Sequence, residues 1–425
     1  MGVCLVKKHN FDILNGLDEL YSECFSYIET KADVNISARG NSISNVNKSR
    51  LFSTPHAIYG HKHGPNKIVS WMLRKNLPAD VYATDSQGIL KNSLLDEDTE
   101  VRIKKAAKDG SSIIAFFGGS TMMSMGSVTP DFSIPALVER ILLKKYNRKT
   151  VCVNFGLGGT CCREALQLYL NKIKLKGVQF NIVFYDGWNC ASYLTHKQAI
   201  QNQKDESSSS CVTESDSMMS MRHNILLNKA YDLKWHLKSL INLFFAHLTE
   251  AAQNLIPRFL GDQLLRIQGR IFPLNQLEND TKRLLIKEII SDEVLNDASE
   301  RAVDEYVGIH LLVKELVPSN KGYLWIQQPL VFWGNKPLTE NEREWNENGY
   351  SSGDPRIFKF FDVNLKSRID CFPDLFSDLT DMTHIFDDIS EELYIDSGHI
   401  NRLGSLVVSA NIANEIVSKQ RVFGL

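Results

Sequence analysis

Short apolar runs alternate with amphipathic segments through the middle of the chain. The runs at 111–117, 149–155 and 181–186 are bounded by charged residues or by glycine, a pattern typical of buried β-strands. Apolar residues recur at helical spacing over 133–146 and 163–177, between these runs. The order strand, helix, strand, helix, strand predicts a parallel sheet covered by helices on both faces, which is a three-layer α/β/α sandwich.

Strand and helix signals return near the C-terminus after a long interruption. The run 321–333 has strand character and is expected to end at Pro329 or soon after it. Helices are predicted over 339–348 and 355–369, and a short turn at 396–399 precedes a last amphipathic helix. We expect these elements to complete the same sheet, so that two distant parts of the chain form one α/β domain.

Four segments organise the chain under this interpretation. Residues 1–105 form an N-terminal extension that packs on the core, and 106–200 form the first half of the α/β core. A serine-rich loop and a helical insertion fill 201–320, and the second half of the core follows over 321–425. The insertion contains an apolar stretch, 225–267, which we expect to pack on the core near its ligand site. The alternatives are that this stretch contacts a second copy of the chain in a homo-oligomer, or that it contacts a membrane surface.

Charge and targeting signals narrow the range of partners. The chain has 48 Lys and Arg against 50 Asp and Glu, so nothing in its net charge of −2 favours binding to nucleic acid. The N-terminus lacks the apolar stretch of about 7–15 residues that a secretory signal needs. No run approaches the ~18 apolar residues of a membrane-spanning helix. We therefore expect a cytoplasmic protein without a transmembrane segment.

Residues suited to catalysis follow the predicted strands. Ser120 comes after the first strand at a pair of glycines, Gly159 lies in a glycine-rich turn after the second, and Asn189 follows the third. Because the carboxyl ends of parallel strands meet along one edge of a sheet, we expect these residues to share one crevice. Asp396 and His399 lie three residues apart just before the last predicted helix, and we expect them at the same edge.

This set of residue types indicates nucleophilic chemistry on an acyl group. Serine is a weak nucleophile unless a base lies within hydrogen-bond reach, and His399 is the candidate base for Ser120. Asp396 is the candidate that orients the imidazole and stabilises its charged form. The backbone N–H groups of Ser120 and Gly159 and the side-chain amide of Asn189 are the candidate donors of an oxyanion hole. Such chemistry needs neither a metal ion nor a cofactor, and we predict none.

The same residues resemble the four blocks of the SGNH hydrolases, also called GDSL-like hydrolases. In the order of that family, the nucleophile falls on Ser120 in GGST and the oxyanion glycine on Gly159 in NFGLGG. The oxyanion asparagine falls on Asn189 in GWN. The base falls on His399 in DSGH, with the acid on Asp396 three residues earlier. The N-x-G-x-x-G run and the D-x-x-H-x-x-x-x-G pattern look like the bacterial branch that is associated with envelope glycans.

The resemblance covers about 111–194 and 323–417. It implies a flavodoxin-like parallel sheet and a serine esterase that removes an O-acyl group, with acetyl favoured, from a carbohydrate or a glycan precursor. Two details depart from the pattern or stay open. Cys190 stands where the third block usually has Asp, which bears on the shape of the loop. The alignment also leaves Gly158 as an alternative to Gly159 as the oxyanion donor.

Other functions stay open alongside the esterase. The same three side chains perform acyl transfer if a sugar or a biosynthetic intermediate takes the acyl group in place of water. They also serve lipase-like and thioesterase-like hydrolases that act on small acyl esters. A degenerate member would bind a glycan or a protein without catalysis.

Two further pairs of residues near the blocks have more than one interpretation. Trp188 and Gln328 adjoin the expected crevice and are candidates for contact with the substrate. The adjacent Cys161 and Cys162 are expected to be small packing residues, with a redox switch as the alternative.

Overall fold

The computed structural model of the protein describes most of the predicted α/β core. The described residues are 12–29, 53–56, 60–63, 68–71, 80–123, 125–127, 129–173, 179–195, 198–199, 291–348 and 354–425. The serine-rich loop predicted within 201–220 and the apolar stretch 225–267 lie outside them. Among the helices in the described part, none has the length and apolar character that crossing a lipid bilayer requires.

Strands of the described residues form one parallel sheet and two small antiparallel pairs. The antiparallel pairs are β1 (Ser53–His56) with β2 (Gly60–His63) and β3 (Ile68–Trp71) with β4 (Asp80–Ala83). The parallel sheet consists of β5 (Ser112–Gly118), β6 (Thr150–Asn154), β7 (Asn181–Asp186), β8 (Tyr323–Gln327) and β9 (Leu379–Asp381).

The strand order of the parallel sheet is β6-β5-β7-β8-β9. This is the 2-1-3-4-5 order of flavodoxin-like folds, and it confirms the predicted α/β class. The order reverses between β5 and β7, which opens a crevice at the carboxyl ends of these strands. Strand β9 was not anticipated from the sequence, because two of its three residues are partly exposed, the third is exposed, and they form no apolar run.

The α-helices lie between and after the strands, and polar caps mark where several of them begin. Ser133 accepts a hydrogen bond from the Ala136 N–H at 3.3 Å, and Asn401 accepts one from the Gly404 N–H at 3.0 Å. The bounds are α1 (Asp18–Glu29), α2 (Thr99–Asp109), α3 (Ile134–Tyr146), α4 (Cys162–Ile173), α5 (Asp292–Leu316), α6 (Glu340–Asn348), α7 (Pro355–Cys371), α8 (Arg402–Ser418) and α9 (Gln420–Phe423), with helical residues also at 188–195. Short 3₁₀ helices cover Asp12–Leu14, Pro130–Phe132 and Pro373–Phe376.

The helices form two layers around the sheet. Helix α3 packs against α8, which also contacts α1, whereas α5 packs against α7 and α4. The chain passes from β5 to β6 in one direction along the sheet and from β6 to β7 in the other. Right-handed crossovers therefore place α3 and α4 on opposite faces. The strands and both layers share one continuous apolar core.

Residues 80–109 lie against the β6 edge of the sheet. Leu90 forms an isolated antiparallel bridge with Asn154, the last residue of β6. The buried Asp85 carboxylate accepts a hydrogen bond from the Thr99 N–H at 3.0 Å, which joins the loop after β4 to the start of α2. Helix α2 continues past residue 105, the predicted end of the N-terminal extension, and contacts both β5 and β6. Part of the N-terminal segment thus borders the sheet directly.

Helix α5 lies within the segment 201–320, which the sequence analysis assigned to a loop and an insertion. It precedes β8 along the chain and packs in the layer formed by α4 and α7. Its buried face includes Val303, Tyr306 and His310, so this helix belongs to the packed α/β core.

Candidate active site

The turn after β5 presents Ser120 at the carboxyl edge of the sheet. Two glycines precede Ser120, and close contacts explain both of them. A Cβ atom on Gly118 would lie 2.2 Å from the carbonyl oxygen of Tyr185. A Cβ atom on Gly119 would lie 2.3 Å from the side-chain nitrogen of Asn189. The Gly-Gly-Ser sequence therefore allows β5 to lie close to the end of β7, which brings the residue before Ser120 against the side chain of Asn189.

Ser120, His399 and Asp396 form a chain of hydrogen bonds at this edge. The Oγ of Ser120 lies 2.7 Å from Nε2 of His399, and Nδ1 of His399 lies 2.7 Å from Oδ2 of Asp396. All three residues are buried, with exposed fractions of 7% or 8%. An imidazole that donates from Nδ1 to the carboxylate has an unprotonated Nε2, which then accepts from the Ser120 hydroxyl. The structure thus brings these three predicted site residues together in one hydrogen-bonded chain, in which Nε2 of His399 is able to take the proton of Ser120.

Backbone N–H groups hold the Asp396 carboxylate in place. Its Oδ1 accepts from the N–H of Gly398 at 2.9 Å and from the N–H of His399 at 2.8 Å. Burial raises the pKa of Asp396. The charge and hydrogen bond of His399 and the two backbone N–H groups lower this pKa by more than burial raises it, so it lies below its ordinary value. Asp396 is therefore ionised at neutral pH and is able to stabilise a positive charge on His399.

The predicted oxyanion donors belong to the turn that contains Ser120 and to two segments next to it. The Nδ2 of Asn189 donates one hydrogen to the carbonyl oxygen of Thr160 at 2.8 Å, which leaves its second hydrogen for another acceptor. Gly159 is exposed with a φ of 74°, and no group among the described residues accepts from the N–H of Gly159 or of Ser120. A Cβ atom on Gly158 would lie 3.9 Å from that of Ser120. The turn that contains both candidate glycines therefore adjoins Ser120.

Trp188 and Gln328 lie next to these residues, and other protein groups hold both side chains. The ring of Trp188 meets the ring of His399 edge-on at 4.7 Å between centroids. It also covers Gly398, where an added Cβ atom would come within 2.1 Å of the indole. The buried Gln328 donates from Nε2 to the Oγ1 of Thr121 at 3.3 Å. Trp188 thus supports the imidazole and Gln328 supports the turn after β5, while contact with a substrate stays a prediction for both.

A buried polar network near Asn189 was not anticipated from the sequence. The hydroxyl of Tyr306 donates at 2.6 Å to Oδ1 of Asp186, the last residue of β7, and accepts at 2.9 Å from the indole of Trp325. His310 stacks on Trp325 at 4.2 Å between ring centroids, and its Nε2 lies 3.2 Å from Oδ2 of Asp186. Burial and the charge of Asp186 raise the pKa of Tyr306, which therefore stays a neutral donor. The available signal was the four-residue spacing of Tyr306 and His310 on one helix face.

A buried ion pair anchors the segment that leads to Asp396. The Oε2 of Glu342 accepts from Nζ of Lys336 at 2.6 Å and from the N–H of Thr339 at 3.0 Å. The Oγ1 of Thr339 accepts from the N–H of Glu342 at 3.4 Å, which completes a capping box at the start of α6. The Oε1 of Glu342 accepts from the two N–H groups of 393–394 at 2.9 and 3.0 Å. One carboxylate therefore joins α6 to the chain two residues before Asp396.

The comparison with solved structures finds proteins that are named as ester hydrolases. A lipase/acylhydrolase from Enterococcus faecalis is 10% identical, with a TM-score of 0.31, and the match covers 72% of this chain and 96% of that one. An acetyl xylan esterase from Geobacillus stearothermophilus is 13% identical, with a TM-score of 0.35 and coverage of 72% and 94%. A putative arylesterase from Agrobacterium tumefaciens is 10% identical, with a TM-score of 0.33 and coverage of 72% and 99%. No family model and no curated protein sequence matches the chain.

Proposed function

We propose that the protein is a serine ester hydrolase of the SGNH type that removes an O-acyl group, with acetyl favoured, from a carbohydrate or a glycan precursor. The observation that carries the proposal is the chain of two 2.7 Å contacts that joins Ser120, His399 and Asp396. Its position at the carboxyl ends of β5 and β7 is where ligands bind in sheets of this order. The carbohydrate substrate rests on the resemblance of the sequence blocks, since a fold alone does not define a substrate.

The geometry suits formation of an acyl-enzyme. The Oγ of Ser120 attacks the ester carbonyl carbon while its proton passes to Nε2 of His399. The carbonyl oxygen becomes an oxyanion, and the N–H groups of Ser120 and Gly159 and the Asn189 amide donate to it. The carbon–oxygen bond to the alcohol then breaks, and the departing alcohol oxygen takes the proton from His399. Asp396 stabilises the imidazolium throughout and keeps its own negative charge.

Release of the acyl group repeats the same chemistry with water as the nucleophile. His399 takes a proton from the water molecule, whose oxygen attacks the carbonyl carbon of the acyl-enzyme. The bond between that carbon and the Oγ of Ser120 then breaks, and Ser120 recovers its proton from His399. A sugar hydroxyl that enters in place of water gives acyl transfer through the same steps, so the identity of the acceptor separates the two activities.

A covalent probe and a set of esters test this proposal directly. The full chain is treated with a fluorophosphonate, and the adduct is measured by intact mass and located by peptide mapping. Hydrolysis of p-nitrophenyl acetate, butyrate and octanoate is measured in parallel, together with release of acetate from acetylated oligosaccharides. We expect one adduct on Ser120 and the highest kcat/KM with acetate among the three nitrophenyl esters, because the hydroxyl lies in a buried turn.

Each other outcome of this experiment has a definite meaning. Acyl groups found on an added sugar acceptor, with little free acetate, would replace hydrolysis by acyl transfer as the main reaction. A preference for octanoate would contradict the acetyl assignment and indicate a lipase-like substrate. A folded protein that gives neither an adduct nor hydrolysis would overturn the enzymatic proposal in favour of a binding protein.

Replacing Asn189 by alanine is expected to lower kcat for p-nitrophenyl acetate by about 10²–10³-fold, because one donor to the oxyanion is lost. KM is expected to change little, since the oxyanion forms only after the substrate has bound. The carbonyl of Thr160 loses a neutral hydrogen bond as well, which costs about 1 kcal/mol of stability and is measured by chemical denaturation. A change in kcat smaller than about tenfold would show that Asn189 makes no contact with the oxyanion.

A further inference from the structure

Three reduced cysteines lie where two segments converge: the turn after β6 with the first residue of α4, and the residues after β7, which are helical from 188. We call these two segments the loops of the site. We call Cys161, Cys162 and Cys190 the thiol cluster. All three are buried and free of disulfide bonds. The Sγ of Cys190 accepts from the N–H of Cys162 at 3.0 Å, and this N–H belongs to the peptide that joins Cys161 to Cys162. The Cys190 sulfur therefore lies against the peptide between Cys161 and Cys162, although Cys190 is distant from both in sequence.

The thiol cluster joins the two loops that carry oxyanion donors. Cys161 comes two residues after Gly159, and Cys190 directly follows Asn189. The hydrogen bond from Asn189 to the carbonyl of Thr160 connects the same two loops at 2.8 Å. Any covalent bond between Cys161 and Cys190 would therefore act on both loops at once.

The three thiols differ in their tendency to ionise. Cys161 lies one residue before the start of α4, and a helix N-terminus favours a thiolate. Hydrogen bonds from Cys162 and Cys190 lower the pKa of Cys161 against the effect of burial. Burial raises the pKa of Cys162 and that of Cys190. Glu164 lies 2.8 Å from the Cys161 sulfur, and burial together with this sulfur raises the pKa of Glu164 to about 7. Cys161 is the natural nucleophile of the cluster, and its thiol and its N–H both donate to Oε2 of Glu164, at 2.8 and 3.0 Å.

The geometry of disulfides selects Cys190 as the partner. A disulfide needs Cα atoms about 4.4–6.8 Å apart, whereas neighbouring residues across a trans peptide are separated by about 3.8 Å. A bond between the adjacent Cys161 and Cys162 would therefore distort the peptide at the start of α4. Cys190 comes from another loop and has no such restriction.

We propose that the thiol cluster is a redox modification site, in which peroxide converts Cys161 and Cys190 into a reversible disulfide that suppresses the activity of the neighbouring site. The effect on activity rests on the proposed ester hydrolysis, whereas formation of the disulfide does not. From the sequence, Cys161 and Cys162 are expected to be packing residues, with a redox switch of this adjacent pair as the alternative. The proposed disulfide joins Cys161 to Cys190 instead, because the Cys190 sulfur approaches the start of α4.

The reaction balances with hydrogen peroxide as the oxidant. The Cys161 thiolate attacks one peroxide oxygen, the oxygen–oxygen bond breaks, and the departing hydroxide takes a proton to become water. The Cys190 thiol then loses its proton as its sulfur attacks the Cys161 sulfenic acid, and the second hydroxide leaves as water. The two thiols lose two electrons in total, and one peroxide molecule is reduced to two molecules of water.

The disulfide is expected to lower the activity through the position of Asn189. The sulfur of Cys190 now accepts from the N–H of Cys162 at the start of α4. A bond to Cys161 draws this sulfur away and moves the residue directly after Asn189. Because a displacement of about 1 Å costs on the order of 10²-fold in rate, we expect at least about a tenfold loss of kcat.

The test follows mass and activity in the same samples. The reduced full chain is treated with hydrogen peroxide, and a loss of about 2 Da with a cross-linked Cys161–Cys190 peptide is expected. The kcat for p-nitrophenyl acetate should fall with the cross-linked fraction and return with dithiothreitol. Cys371→Ser removes an exposed thiol and should show the same loss, which makes it the matched control. Cys190→Ala, compared with its own untreated activity, should resist the peroxide.

Two results would overturn the inference. The first is oxidation of Cys371 by peroxide without formation of a cross-linked Cys161–Cys190 peptide. The second is a complete cross-link with unchanged kcat, which would make the disulfide a change without effect on the site. If the reduced protein has no ester hydrolysis and no Ser120 adduct, the proposed function fails, and the inhibitory effect fails with it. Formation of the cross-link is still decided by mass in that case, so the two failures are distinguishable.

Discussion

Replacing Ser120 by alanine is expected to lower kcat for ester hydrolysis by about 10⁴–10⁶-fold and to abolish the fluorophosphonate adduct. The variant keeps His399 and Asp396 but has no oxygen to attack the carbonyl, so only substrate binding and the oxyanion donors contribute to the remaining rate. The alanine retains the Cβ atom, and the lost Oγ has His399 as its hydrogen-bond partner. We therefore expect a folded protein, to be verified by chemical denaturation alongside steady-state kinetics.

The neighbouring hydroxyl provides the matched control for this variant. The Oγ1 of Thr121 accepts from Nε2 of Gln328 at 3.3 Å and has no place in the proposed proton transfer. Thr121→Ala removes one neutral hydrogen bond worth about 1 kcal/mol, so its kcat should stay within about tenfold of the wild type. If Ser120→Ala keeps more than a small fraction of the activity, another residue is the nucleophile and the proposed mechanism is wrong.

Replacing Glu342 by alanine is expected to lower the free energy of unfolding by about 3–5 kcal/mol, the largest stability effect that we predict. Glu342 is fully buried, and its loss leaves the Nζ of Lys336 buried without its carboxylate partner. The N–H groups of Thr339 and of 393–394 lose their acceptor at the same time. Denaturant unfolding of the variant and the wild type measures the difference. We also expect kcat to fall, because the segment before Asp396 loses its anchor.

Two further variants distinguish the effect of the buried charge on stability from the effect of any substitution in this helix. Glu344 lies on the exposed side of the same helix, so Glu344→Ala should change the stability by less than about 0.5 kcal/mol. The double variant Lys336→Met with Glu342→Gln removes both charges and should recover much of the lost stability, because it leaves no unpaired ion. An unfolding free energy for Glu342→Ala within about 1 kcal/mol of the wild type would contradict the role of this ion pair.

The fold class could be predicted because its signals are local. The buried runs of β5, β6 and β7 read as strands over nearly their full length, and α3 begins one residue after the capping Ser133. Strand β9 lacked such a signal, since its three residues, two partly exposed and one exposed, pair with the edge of β8 through backbone groups. Its existence depends on a neighbouring strand that offers free N–H and C=O groups, which no local pattern reports.

The grouping of the site residues could be predicted for a different reason. Ser120, Gly159 and Asn189 each follow a strand of one parallel sheet, and the topology of such a sheet places strand ends together. His399 was grouped with them because Ser120 needs a base and His399 comes just before the last predicted helix, and its sequence block resembles that of the family, although it lies 279 residues from Ser120. The glycines before Ser120 indicated close packing, but only the structure shows which groups they contact.

Side-chain partners that are distant in sequence could not be predicted. The hydrogen bond from Tyr306 to Asp186 spans 120 residues, and the contact of Glu342 with the N–H of Leu393 spans 51. The approach of Cys190 to Cys162 spans 28 residues and depends on how two loops meet. The sequence does not show which polar residue pairs with which, because many other polar residues of the chain are equally suited to the same partner. The pairing is defined only after the strands and helices have packed.

The sequence by itself determined the order of β5 to β8 and of the helices between them, the α/β class, and which residue types follow the strands at one sheet edge. Periodicity, capping and chain order act over short distances, so a local pattern is enough to show them. The tertiary structure alone decided the 2.7 Å contacts of Ser120, His399 and Asp396, the anchoring carboxylate of Glu342 and the approach of Cys190 to the start of α4. Those contacts depend on side-chain packing between elements that lie far apart in the chain, and packing of that kind is defined by the assembled core.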